Sequence, residues 1–282
     1  SAASDVYKRQ GGGCLNLCKA ILWIYDRIGE LAARLPVSRW VTGKPPLYLL
    51  VIYYGLILWI CIWFYRLKER RTEKEQRKTK SRERWMVVPG ILLVCLSVLL
   101  PGSCWLMHQV QGQVTVTVLD VGQGDGIVVR TPEGNCFLVD GGSTNKSGTG
   151  QYQILPYLKN QGISRVDGIL VSHTDKDHIS GVEEILELTA QKLNSVEIGC
   201  LYLPNWKTPP EEWEKLSQLA KEAGISVKQV KEGDCLKAGK LEMQIVAPLE
   251  NASGINVNED GMVLQVKYGA VSYTHLTLPT NS

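Results

Sequence analysis

Two long runs without a single charged residue limit what this 282-residue chain can become. Residues 45–65 read PPLYLLVIYYGLILWICIWFY, and residues 85–107 read WMVVPGILLVCLSVLLPGSCWLM. A helix of about 20 apolar residues crosses a bilayer, and core helices of soluble proteins rarely go that far without a charge. A cleaved leader is a poor alternative, because both runs are too long and too far from the start. The segment between them, 66–84, carries ten Lys/Arg and four Glu, a net charge of +6. Short basic loops stay on the cytoplasmic side. The expectation is therefore two transmembrane helices within 45–107, a cytoplasmic loop at 66–84, and a soluble region from about residue 113 on the opposite side. Trp59, Trp63, Phe64, Tyr65 and Trp85 cluster at the loop-side ends of the runs, where aromatic side chains anchor to the interface. Upstream, within an 11–44 region, Leu17, Ile21, Ile24, Ile28, Leu31 and Leu35 recur at helical spacing, with Lys19, Asp26, Glu30 and Arg34 on the other side. This predicts an amphipathic helix that packs on protein or lies in the membrane interface.

The overall charge of +3 conceals an asymmetry. Residues 113–270 hold 14 Lys/Arg against 21 Asp/Glu, a net charge of −7, which argues against a broad basic nucleic-acid surface on that region alone. The eight cysteines include no CxxC pair, so a zinc ribbon is not indicated. Cys61 and Cys95 fall in the apolar runs, and Cys136, Cys200 and Cys235 are expected in the core. Both termini, 1–10 (SAASDVYKRQ) and 272–282, resemble translated adaptor sequence, so they are set aside from fold reasoning and His275 is not counted as a ligand.

Beyond the second run the periodicity switches to two. Val114, Val116 and Val118 alternate with threonines, a strand signal. The Gly-rich DVGQGDG (120–126) follows, then strand IVVRT, a PEGN turn (132–135) and strand CFLVD (136–140). Helices are expected at 151–161, from Ser180 to Gln191, and at 209–224. Strands are expected at 165–173, 199–204, 225–230, 234–237, 241–247 and 261–269. Strand runs mixed with exposed-face helices predict a sheet layered with helices.

The chemistry sits in SHTDKDHISG. His173, Asp175, Asp177 and His178 fall within six residues, between a predicted strand and a helix. Alternate residues of an extended segment point the same way, so His173 and Asp175 can share one ion. Asp177 and His178, at the turn into the helix, can reach a second. Paired ions about 3.5–4 Å apart are the geometry of two-metal hydrolysis. The competing reading, a charged surface loop with a helix cap, is weaker because the chain has only four histidines and two of them are here.

HTDKDH resembles the HxHxDH signature of the metallo-β-lactamase fold, with Asp175 where most members have His. Preceded by LDVGQGDG and LVDGG, and followed by an Asn-containing run into MVL (262–264), it resembles the C-terminal domain of ComEC-type competence proteins, the DNA-uptake channels of transformable bacteria. The resemblance covers about residues 113–270. It implies a partial metallo-β-lactamase (αββα) fold after two transmembrane helices, in a multi-pass protein of the bacterial inner membrane whose soluble domain is extracytoplasmic. It places His173 and Asp175 at the first metal, and Asp177 and His178 at the second, with Asp177 also orienting the attacking water. It puts Asp120, Asp125 and Asp140 beside the site as acceptors. For Asp120 and Asp140 a plain turn role next to glycine stands equally open.

In function, the resemblance implies a metal-dependent phosphodiesterase or nuclease acting on incoming DNA, with membrane lipid and other DNA-uptake components as partners. The family's further ligands lie after the strand ending near Ala270, so this stretch alone is expected to be inactive. Carboxylate at position 175 favours Mn²⁺ or Mg²⁺ over Zn²⁺. The alternatives are a non-catalytic transport scaffold, or a membrane-tethered hydrolase of another metallo-β-lactamase branch.

Overall fold

The computed structural model describes residues 15, 18–31, 40–72, 82–109, 112–269 and 271–275. Contacts divide the chain into two units, Ser1–Trp40 and Val41–Ser282. In the first, residues 18–31 are helical, and Leu15, Ile21, Ile24, Ile28 and Leu31 of the expected stripe are exposed. Leu17, Arg34 and Leu35 lie outside the described residues.

In the second unit, α1 (Leu47–Thr72) and α2 (Arg82–Gln109) come first. Each contains a stretch long and apolar enough to cross a membrane, Leu47–Arg66 and Gly90–His108, and only 6% of each is buried inside the protein. The large side chains Leu47, Val51, Leu58, Trp59, Val94 and Leu99 all face outward.

The remaining chain forms a layered α/β domain. One sheet contains six strands in the order β1 (Thr115–Val118), β2 (Ile127–Arg130), β3 (Cys136–Val139), β5 (Gly168–Leu170), β7 (Cys200–Pro204) and β8 (Ser226–Val230). The first three are antiparallel neighbours, whereas β3, β5, β7 and β8 run parallel. A second, antiparallel sheet has the order β12 (Val271–His275), β11 (Val263–Tyr268), β10 (Leu241–Ala247), β9 (Cys235–Ala238). A short parallel pair joins β4 (Arg165–Val166) to β6 (Glu197–Ile198). The helices are α3 (Leu155–Asn160), α4 (Lys176–Ala190) and α5 (Glu211–Glu222).

Alternation along the central strands builds two cores at once. Val128, Leu138, Ile169 and Leu201 turn to one face, where they pack with Ile154, Leu158, Val182, Ile185 and Leu216 from the helical side. Ile127, Val129, Phe137, Val139, Leu170 and Tyr202 turn to the other, against Leu241, Met243, Ile245, Leu264 and Val266 of the second sheet. A sheet covered on both faces reads as continuous hydrophobic runs, as IVV, FLV and GILV do.

Several expectations are corrected. The strand expected over 165–173 is interrupted at Asp167, whose carboxylate accepts from Cys136 N at 3.0 Å and whose N–H donates to Cys136 O at 2.7 Å. Residues 165–166 join the short β4–β6 pair and 168–170 the large sheet. The helix expected from Ser180 begins at Lys176, so Asp177 and His178 lie in its first turn. The helix expected over 151–161 is a wide π turn, Gly150–Ile154, leading into α3. Cys136 and Cys200 are buried, but Cys235 is exposed, because it lies on the outer face of the edge strand β9 while Leu236 and Ala238 pack inward. Residues 272–275, set aside from the fold, pair with β11. An open sheet edge offers unpaired N–H and C=O groups that any extended segment can satisfy.

Candidate functional site

Strands β3 and β5 run parallel and release their chains at the same edge of the large sheet, and β2 begins there. The segments 120–126, 140–146 and 171–178 therefore meet. Backbone bonds lock them together: Asp125 N donates to Asp177 O at 3.0 Å, Gly142 N to Asp125 O at 3.0 Å, and Gly141 N to His178 O at 2.8 Å. The approach is too close for side chains. A Cβ at Gly124 would lie 2.3 Å from Gly142 O and 2.5 Å from Asp177 O, and one at Gly142 would lie 2.4 Å from Asp177 C. This is why both Gly-rich stretches are needed around the HTDKDH segment.

Asp140 organises the cluster. It is completely buried and has φ of 54°, a left-handed conformation that Asp tolerates better than most residues. One carboxylate oxygen accepts from Ser172 N at 2.7 Å, and the other lies 3.0 Å from His178 Nδ1. A turn role and a site role thus coincide in one side chain. His178 is fixed at Nδ1, and its Nε2 lies 3.9 Å from Asp177 Oδ2. The His173 ring, with its centroid 3.9 Å from that of His178, has Nδ1 3.0 Å from Ser172 Oγ and Nε2 3.5 Å from Asp175 Oδ2. Asp125 Oδ2 lies 3.8 Å from His178 Nδ1.

Asp175 occupies the N-cap of α4, with φ −68° and ψ 148°, yet its side chain makes no capping bond. An Asp at that position ordinarily caps the helix. Here its carboxylate instead accepts from Asn258 Nδ2 at 3.0 Å. The loop bearing Asn258 is tied down by Met262 N to Ser172 O at 2.7 Å and by Trp206 Nε1 to Asp260 O at 2.7 Å.

The electrostatics separate the two imidazoles. Burial and the neighbouring His178 hold His173 below the ordinary imidazole range, against the pull of Asp140, Asp175 and Asp177. Burial also presses His178 downward, but the hydrogen bond and charge of Asp140, joined by Asp177 and Asp125, carry it above that range.

The donor types suit a divalent cation. Each ring has Nδ1 held by a protein oxygen and Nε2 beside a carboxylate, the arrangement in which an outer partner fixes the tautomer of a ligating histidine. His173 with Asp175, and Asp177 with His178, would hold such ions. The set is not closed: among the described residues, no three His, Cys, Asp or Glu side chains converge as metal ligands. Asp120 does not join them. Its side chain is 93% exposed and pairs with Lys146 Nζ at 3.1 Å, and this contact lowers its pKa.

Sequence reasoning missed Ser172 and the contact made by Asn258. A serine before a histidine carries no signal of its own, and Asn258 is 83 positions from Asp175.

Residues 119–232 match the family described as the Metallo-beta-lactamase superfamily. The chain is 27% identical over 207 residues to ComE operon protein 3 of Bacillus subtilis, covering 69% of this chain and 25% of that protein. It is 35% identical over 100 residues to Recombination protein 2 of Haemophilus influenzae, covering 35% and 12%. It is 36% identical over 75 residues to Competence protein ComA of Neisseria gonorrhoeae, covering 27% and 10%. The chain thus spans a quarter or less of these relatives. Among solved structures, the metallo-beta-lactamase fold protein YhfI from Bacillus subtilis aligns at a TM-score of 0.38 and 14% identity, covering 54% of each chain.

Proposed function

Since the chain is homologous to competence proteins of the ComEC type and carries a metallo-β-lactamase fold, we propose that it is the membrane-anchored hydrolase portion of a bacterial DNA-uptake protein. In this reading, α1 and α2 cross the inner membrane, the 66–84 loop is cytoplasmic, and the domain lies outside and cleaves incoming DNA as a phosphodiesterase. The observation that carries the proposal is the buried Asp140–His178 pair at 3.0 Å, which aims a second nitrogen toward Asp177 instead of leaving the ring to cap or pack.

The residues divide the work. Asp140 and Ser172 hold the imidazole tautomers. His173, Asp175, Asp177 and His178 would hold two divalent ions. Asp177, 23% exposed at its side chain, would orient an attacking water. The ions, when bound, supply Lewis acidity for an in-line displacement at phosphorus. A carboxylate at position 175 makes one half-site harder, so Mn²⁺ or Mg²⁺ is favoured over Zn²⁺.

Calorimetric titration of the detergent-solubilised chain tests this. Mn²⁺ is expected to bind more tightly than Zn²⁺ in the wild type, and Asp175→His is expected to move the preference toward Zn²⁺. Zinc selectivity in the wild type would remove the hardness argument. A second reading, a non-catalytic transport scaffold, is favoured by the net charge of −7 over residues 113–270. It predicts that neither ion binds and that DNA remains intact.

A further inference from the structure

Arg130 is the last residue of β2 and only 5% exposed, and no carboxylate pairs with it among the described residues. A buried guanidinium must satisfy its donors elsewhere. It does so by joining two helix ends. Nη2 donates to His108 O in the last turn of α2, and Nη1 donates to Gln161 O, just past α3, at 3.0 Å. Carbonyls in a helix's last turn lack intrahelical donors and carry the negative end of its dipole, so one cation caps both helices. The surroundings are close-packed. Lys44 N, ahead of α1, donates to Asn160 O at 2.8 Å, and Cys104 Sγ contacts Gly43 O at 3.4 Å. A Cβ at Gly43 would lie 2.8 Å from the His108 ring, and one at Gly162 would lie 2.8 Å from His108 Cβ. The exit of the second apolar helix and the entry to the first thus meet the same edge of the hydrolase domain.

That edge is opposite the His/Asp cluster. β2 runs from Ile127, beside the 120–126 loop, to Arg130, and β3 runs back from Cys136 to Val139, next to Asp140. Three residue steps of about 3.3 Å separate the two ends of β2, and the cluster lies beyond them. We infer that Arg130 docks the hydrolase domain onto the membrane-exit end of α2, with the His173/His178 edge directed away from the bilayer. This rests on the reading that α1 and α2 span a membrane. It implies that substrate reaches the cluster from the aqueous compartment.

The test uses the full chain in phosphatidylcholine/phosphatidylglycerol liposomes doped with a headgroup-nitroxide lipid. A fluorophore is placed on Glu133→Cys, in the turn next to Arg130, or on Lys146→Cys, at the opposite edge, with the exposed native cysteines changed to Ser. Quenching at least twofold stronger at position 133 is expected. Equal quenching, or stronger quenching at 146, overturns the orientation. Arg130→Met keeps the bulk but removes the donors, and is expected to abolish the contrast, as is Arg130→Lys. A contrast that survives both changes would show that Arg130 is not the dock. If either variant fails to fold, the wild-type comparison still decides the orientation. Release of the wild-type chain by alkaline carbonate would instead overturn the membrane reading, an outcome distinct from a protein that inserts but shows no contrast.

Discussion

Asp140 combines three properties seldom found together: complete burial, a positive φ of 54°, and hydrogen bonds accepted by both carboxylate oxygens. A strained backbone held in place by its surroundings points to a demand from the site. Asp140→Asn keeps the shape and tolerates the same backbone, but loses the negative charge facing His178. Loss of such an outer partner weakens metal affinity about 10–100-fold. We expect that loss for Mn²⁺ by calorimetry, with a small change in melting temperature. Unchanged affinity would reduce Asp140 to a turn residue. The four residues of the HTDKDH motif were legible in the sequence because metal-capable side chains were dense among so few histidines. Asp120 was not resolved, since an Asp before a Gly-rich turn has the same signature whether it faces the site or, as here, pairs with Lys146 in solvent.

At the level of elements, the site depends on how closely α4 approaches the 140–142 segment. The distances at Gly142 involve backbone atoms of Asp177 and His178, which cannot rotate aside. Gly142→Ala should therefore push the first turn of α4 off the sheet edge and destabilise the domain by about 2 kcal/mol or more. Gly112→Ala, with nothing within 4 Å of its Cβ, should be neutral within about 0.5 kcal/mol. Urea denaturation of the two variants checks the pair, and equal stability would mean the tight contact relaxes at no cost. The strands of the large sheet were readable from two-residue alternation and β-rich runs. The start of α4 was not, because HTDKD has no apolar period and its N-cap Asp175 makes no capping bond. Nor was the break at Asp167, whose carboxylate accepts from Cys136 N and whose N–H donates to Cys136 O, between β4 and β5.

For the whole molecule, the charge pattern makes a sidedness prediction. The +6 loop between the two spans should hold residues 66–84 in the cytoplasm and expose the domain on the other side. In intact cells, Lys146→Cys should react with a membrane-impermeant maleimide, because Lys146 is partly exposed at 35% on a surface loop. Reaction only after permeabilisation would reverse the topology. The order of two long apolar helices followed by a layered α/β domain could be anticipated from composition, but the joint between them could not. It rests on Arg130, an isolated basic residue at the end of an apolar strand, and on carbonyl groups that leave no trace in sequence.

The bond from Asn258 to Asp175 and the one from Met262 N to Ser172 O also bear on the order in which the protein is made. Strands β1 to β7 and helix α4 lie earlier in the chain, so the His173/His178 pair can be assembled while residues 250–262 are still being synthesised. Contacts between distant positions form slowly, because the intervening chain must first be ordered. The clamp on Asp175 is therefore expected to close last, leaving a nascent domain whose sheet is built but whose first carboxylate still swings freely. Hydrogen exchange pulsed during refolding would register this as late protection at Met262 N, after the β2–β3 amides are already shielded.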